Sequence, residues 1–191
     1  MPPKTRYTRE VVLDAALKVV RDTGIRGMSA RSIAKALGAS TAPVLAAFEN
    51  MQALTEAVVA ALIDELLAAV DATEATDPIR GAVFAMARFT ANRRNEYEAL
   101  FLHPHASPPD WVAVRARFSE PLAEAEGFHH LTPRQRNALA WRASVVAHGI
   151  CIEIWSKRWT QTSDEALWRV VDQLVGPIIE GMLAHNGEGV R

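Results

Sequence analysis

The sequence predicts an all-α fold: an N-terminal three-helix domain with a helix-turn-helix, then a larger C-terminal helical bundle, about nine helices in total. Three observations carry this. Alanine, the best helix former and a poor strand former, is the most frequent residue, against two tyrosines and six phenylalanines. No stretch keeps the two-residue apolar/polar alternation of a strand. Residues that start and stop helices recur along the whole chain.

The elements follow in order. Thr8 is placed to cap a first helix to Thr23, with Val12, Ala16, Val19 and Val20 on one face and Gly24 as its stop. Ser29 caps a second helix carrying Ile33, Ala34 and Leu37, which Gly38 ends. Ser40 is expected to cap a very short third helix from Thr41 to about Ala47, with Pro43 in its first turn, where backbone N–H groups lack helical partners anyway. Asn50 caps a fourth that reaches Val70 or beyond.

In the second half, Asp77-Pro78 is a helix start with proline at the first helical position. Asn95 is expected to cap a short helix holding Tyr97, Leu100 and Phe101, and residues 103–109 are a proline-rich loop. Asp110 caps a helix expected to run to Glu126. Thr132-Pro133 opens a long one reaching toward Trp159. Ser163 opens the last, to about Ala184, with a kink expected at Gly176-Pro177 and a frayed tail from Asn186.

Composition narrows the function classes. Hydrophobic residues at 49% and charged residues at 23% are the mix of a soluble globular protein. A net charge of −1 excludes charge-driven disorder and a uniformly basic nucleic-acid coat protein. Cys151 is the single cysteine, which excludes an internal disulfide framework and a zinc finger and suits a reducing compartment. The apolar run Ala57 to Val70 is interrupted by Asp64 and Glu65, so no membrane span is expected. The opening residues lack the apolar core of a signal peptide, and a cytoplasmic location is the expectation. Charge is unevenly spread: residues 1–50 hold eight Lys/Arg against four Asp/Glu, a basic front on an acidic body. Such a front suits contact with a polyanion.

The informative unit is residues 29–48, two short helices around a glycine-containing turn. Ile33, Ala34, Leu37, Val44 and Phe48 have the spacing to share one small core, and Ala34 is small where the helices must approach. This is the pattern of a helix-turn-helix, whose second helix enters the DNA major groove. With its flanks, Arg9 to Leu54 resembles the N-terminal domain of the tetracycline-repressor (TetR) family. The matching elements are Ala15-Ala16-Leu17, Gly24, Met28-Ser29, Ile33-Ala34, Leu37-Gly38-Ala39-Ser40, Phe48 and Leu54. Ser40-Thr41-Ala42-Pro43-Val44 with Asn50-Met51 resembles a variant branch of that family. The resemblance implies a homodimeric repressor with a DNA-binding domain over residues 1–50 and an effector-binding and dimerisation body over residues 51–191.

Candidate DNA contacts follow. Lys4, Arg6 and Arg9 form a basic arm that can reach phosphates or a minor groove, and Arg31 lies in the first turn of the second helix. Ser29, Ser40 and Thr41 can donate to phosphates. Ala42, Pro43 and Ala46 can offer only apolar contact, as to thymine methyls. Leu45 and Met51 stand where the family usually has a phosphate-binding tyrosine and lysine.

For a small, mostly apolar effector the candidate residues are Phe84, Phe89, Phe101, Trp111, Phe118 and Trp141, with Arg115, Ser144 and His148 as polar groups. The last two helices are expected to make a four-helix dimer seam, through Ala140, Ala143, Ala147 and Ile154 on one and Val171, Leu174, Ile178 and Met182 on the other. The expected partners are double-stranded DNA, a second copy of the chain and an unidentified small molecule.

No cofactor, metal or catalysis is expected. His103-x-His105 and His129-His130 lack helical metal-ligand spacing, and no Walker loop, His-Glu-x-x-His motif or nucleophile elbow is present. Cys151, between Ile150 and Ile152 in a helix, is expected to be an inert buried thiol. Leu45 and Met51 support a rival reading, a relative that has lost DNA binding and acts through a protein partner or as a small-molecule binding module.

Overall fold

The structure is a computed structural model that describes residues 7–75, 77–105 and 109–187, with side chains through residue 184. Lys4 and Arg6 lie outside the described residues. Among those described there are nine α-helices and no strand: α1 (Arg9–Thr23), α2 (Ala30–Leu37), α3 (Ala42–Ala47), α4 (Met51–Asp71), α5 (Pro78–Asn92), α6 (Arg94–Tyr97), α7 (Trp111–Ser119), α8 (Pro133–Trp155) and α9 (Asp164–Gly187). They gather into two compact units. The first holds the residues up to Glu65 and the segment Arg93–Pro109. The second holds Leu66–Asn92 and the residues from Asp110 onward.

In the first unit the helix ends are set by local hydrogen bonds. The Thr8 hydroxyl accepts from Val11 N–H to start α1. Ser29 and Ser32 form a reciprocal capping box on α2. Gly38, at φ 62° and ψ 37°, closes α2 in the left-handed conformation that glycine adopts without a Cβ clash, and its N–H returns to Ala34 and Lys35 carbonyls. Ala53 N–H donates to Asn50 Oδ1 at 2.8 Å to start α4.

Two expectations fail here. Thr41, not Ser40, holds the N-cap position of α3, with no side-chain cap bond, and Pro43 is the second helical residue. A cap side chain normally receives from the second or third helical N–H, and Pro43 has none to give. Nor does Asn95 cap α6, which starts at Arg94. Asn95 Nδ2 donates instead to Arg21 O at 2.7 Å, satisfying a carbonyl at the end of α1 that has no helical partner.

Packing then closes the unit around α1, which contacts α2, α3 and α6. Val12, Val20, Ile33, Val44 and Phe48 are buried there, while Leu37 is half-buried. A five-residue π-type turn, Glu98–Leu102, follows α6 and sets Phe101 against Tyr97 at 5.1 Å between rings.

The second unit is built on α5, which packs against α8 and α9. Asp77 caps α5 through Ile79 and Arg80 N–H groups, Asp110 caps α7, and Thr132 and Gln135 form a capping box on α8. Helix α7 stops at Ser119 rather than Glu126, because Pro121 has no N–H to continue the ladder and opens a 3₁₀ turn. Helix α8 ends at Trp155, short of Trp159, where Lys157 turns to φ 61°. Pro177 lies inside α9 without ending it. Phe84 and Trp168 stack in parallel, 4.1 Å between centroids, and tie α5 to α9.

Candidate functional site

The candidate nucleic-acid interface is the α2–Gly38–α3 unit. Ile33, Ala34, Val44 and Phe48 face inward, which turns the other residues of these helices outward. On α2, Arg31 and Lys35 are exposed and, among the described residues, engaged in no ion pair. On α3 the exposed residues are Thr41 at the cap, Ala42, Leu45 and Ala46, and Leu45 is 55% exposed. Helix α3 carries no basic and no acidic residue. Ser29 is exposed, but its hydroxyl accepts from Ser32 N–H. Ser40 is exposed and Met51 half-buried at the first turn of α4. Arg9 is spent within the unit: its guanidinium lies 3.9 Å over the Phe48 ring and donates to Ala47 O at 3.3 Å.

The rear of the same unit is a charged cluster. Glu65 accepts from both Arg21 and Arg93, and Arg21 also pairs with the buried Glu96 at 3.6 Å. Arg26 pairs with Glu98 at 3.7 Å. These bonds join α1 and its following turn to α4 and to residues 93–98. They use Arg21 and Arg26, which the sequence counts only as part of a basic front.

Each unit has its own hollows. In the first, a cavity of about 480 Å³ lies between α4 (Gln52, Thr55, Glu56, Val59, Ala60, Ile63) and His103, Pro104, His105 and Pro109. Burial, then the neighbouring His105 and Arg26, lowers the His103 pKa below its ordinary value, so the ring is neutral at pH 7. None of the effector residues expected from the sequence lines this cavity. Its walls come from one helix face and a loop, a pairing that no periodicity announces. In the second unit a hollow of about 40 Å³ is lined by Ile79, Ala82, Val83, Met86, Phe118, Ala140, Ala143, Ser144 and Ala147. Another of about 180 Å³ shares Ala82 and Phe118 with it and adds Asp71 and Arg117.

The structure divides the effector candidates. Phe118 and Ser144 line hollows, with the Ser144 hydroxyl donating to Trp141 O at 2.7 Å. Phe84 and Phe89 are core residues. Trp111 and Arg115 are half-buried on α7. His148 is half-buried on α8, and burial lowers its pKa. Phe101 belongs to the first unit. Trp141 is 55% exposed and lines none of these hollows.

The seam candidates need a correction. Ala140, Ala143, Ala147, Ile154 and Val171 are all buried within the chain itself, because that face of α8 is taken by α5 and α9. On these two helices the large apolar groups still exposed are Trp141 and Val145 on α8 and Leu174 on α9, with Ile178 and Met182 half-buried; on α7 Val112 is exposed as well. Cys151 is fully buried beside Thr90, and burial pushes its pKa up to about 12, which makes it a poor nucleophile. Among the described residues no group of three or more His, Cys, Asp or Glu could hold a metal, and no helix is long and apolar enough to cross a membrane.

A small helix-turn-helix unit joined to a larger all-helical unit is the fold of TetR-type transcriptional regulators. Comparison with known proteins agrees. Residues 12–58 match the model for bacterial regulatory proteins of the tetR family. No curated protein sequence matches the chain. Among solved structures, a transcriptional regulator from Rhodococcus sp. Rha1 is similar with a TM-score of 0.65 and 21% identity, over 91% of this chain and 96% of that one. A TetR variant from Acinetobacter baumannii AYE in complex with minocycline is similar with a TM-score of 0.60 and 16% identity, over 91% and 97%. A TetR-family member from Streptomyces coelicolor A3 gives 0.58 and 21%, over 87% and 96%.

Proposed function

We propose that the protein is a ligand-responsive transcriptional repressor that binds palindromic operator DNA as a homodimer in the cytoplasm and is released by a small, mostly apolar effector. The observation that carries this reading is the helix-turn-helix itself: a closed core under α2 and α3, with Arg31, Lys35 and Thr41 exposed, in a segment that matches the tetR family model. In this reading residues 1–50 contact DNA and residues 51–191 bind effector and dimerise. Ser40 to Val44 form the variant recognition segment. Arg31 and Lys35 supply phosphate contacts, joined by Lys4 and Arg6.

The dimer seam is the apolar surface left outside the second unit, through Trp141, Val145, Leu174, Ile178 and Met182. A two-fold dimer presents two reading heads to a palindrome. The effector enters the second unit beside Phe118, which with Ala82 lines both of its hollows. It favours a head spacing that no longer fits the operator. The first unit's cavity of about 480 Å³ is the competing effector site, because its size suits a small organic ligand. All five tryptophans lie in the second unit, so their fluorescence reports occupancy there. Ser144→Trp blocks that site and Ala60→Trp the other.

Selection of genomic DNA fragments by the purified protein tests the reading. One enriched palindrome, bound more weakly by Arg31→Ala, is the expected result. Failure to enrich any sequence at low or physiological salt would overturn it in favour of a partner-binding role for the exposed apolar Leu45.

A further inference from the structure

We infer that Leu45 is the specificity-determining residue of the recognition helix and that it reads the 5-methyl group of thymine. The inference rests on the operator-binding reading above and adds which base group is read, and by what: with no hydroxyl to give a phosphate, unlike the tyrosine usual at this position, Leu45 has only apolar contact to offer.

The chemistry of α3 leaves few other routes. Val44 is turned inward and 1% exposed. Pro43 and Ala47 are half-buried, and the outward residues are Ala42, Leu45 and Ala46 after the Thr41 cap. None of the three can donate or accept through its side chain. No charged side chain stands on the helix, and the nearest cation, Arg9, is held on Phe48 and the Ala47 carbonyl. A second helix of a helix-turn-helix placed in the major groove with this surface cannot make the bidentate bonds that read guanine or adenine.

One apolar group faces that groove among the four bases, the thymine methyl. Leu45 is the largest apolar side chain on the exposed face of α3. Set against a methyl it removes apolar surface from water. Set against the amino group of adenine or cytosine it would strip a donor of water and return no acceptor. Both effects select thymine at the position Leu45 faces.

The test needs no prior operator. A random duplex library is enriched on the protein, and the enriched pool is amplified once with dTTP and once with dUTP, which removes only the methyls. The expected result is binding about fourfold weaker for each contacted methyl lost. Leu45→Ala is expected to lose most of the difference between the two pools, and Leu45→Met to keep it. Arg31→Ala should weaken both while preserving their ratio, since a phosphate contact is blind to the base. Leu45 is 55% exposed, so its truncation leaves the core intact, which a circular-dichroism melt checks. Equal binding of both pools by the wild type overturns the inference and leaves operator binding standing. A preference undiminished in Leu45→Ala overturns the assignment to Leu45. A library that never enriches removes operator binding and the inference together.

Discussion

The first unit is a small core fixed by its edges, and the second is a large core fixed by its middle. Within α1–α3 the buried side chains are aliphatics of modest size, closed by Phe48 and by Tyr97 from α6, and position is set by caps, by Gly38 and by the charged cluster at Arg21, Glu65, Glu96 and Arg93. In the second unit Phe84 stacks on Trp168, the small residues Ala140, Ala143 and Ala147 let helices close on one another, and apolar groups remain outside at Trp141, Val145 and Leu174. The difference teaches what each part has left over. The first leaves a sparse, uncharged recognition helix beside the exposed cations of α2. The second leaves apolar surface exposed at Trp141, Val145 and Leu174.

Core truncation gives the largest expected effect and probes whether the two regions are energetically separate. Ile33→Ala and Leu139→Ala each remove a fully buried side chain and should each cost about 2–5 kcal/mol in urea unfolding. Ile33→Ala should abolish DNA binding, while Leu139→Ala keeps it below its melting temperature. Parallel loss in both variants would show one cooperative block and break the comparison.

Next in size is Leu174→Glu. It places a charge on the outer apolar face of α9, and sedimentation should show monomer at a concentration where the wild type is dimer. A wild type that is already monomeric would end the seam proposal.

The charged cluster should matter less than its bond count suggests. The side chains of Glu65, Arg21 and Arg93 are 29%, 42% and 42% exposed, so water screens them. Glu65→Gln is expected to lower stability by about 1 kcal/mol or less, and by less still at high salt.

The smallest effect is the pH response of His148. Burial holds its pKa below the ordinary 6.5, so the unfolded chain takes the proton first. Its stabilising contribution is complete above that value and is lost as pH falls through it toward the lower pKa of the folded chain. His148→Gln should therefore lose less melting temperature than the wild type between pH 7.5 and about 5.5. Equal slopes would show that His148 does not titrate as a buried group.

How much was legible follows from the range of the forces involved. Thr8, Ser29, Gly38, Asn50, Asp77, Asp110 and Thr132 were readable as helix ends because a cap acts within a few residues of itself. Where a cap had a competitor far along the chain the reading failed, as at Asn95, drawn to the Arg21 carbonyl. The candidate site was legible in part. The buried face of α2 and α3 follows from spacing, and its complement is the surface offered to DNA. That Arg9 is already occupied by Phe48 and Ala47 does not follow, since those residues are far away in sequence.

By itself, then, the sequence determined the helical class, most of the helix starts and the helix-turn-helix, all of them consequences of local propensity and of hydrogen bonds within one turn. What packs on α8 came from tertiary structure. Spacing marks Ala140, Ala143, Ala147 and Ile154 as one small-residue face of that helix, but a second copy of the chain and the chain's own helices would use such a face alike. The packing of α5 and α9 buries the alanines and leaves Trp141 and Val145 in water, because only the small side chains let the helices come close.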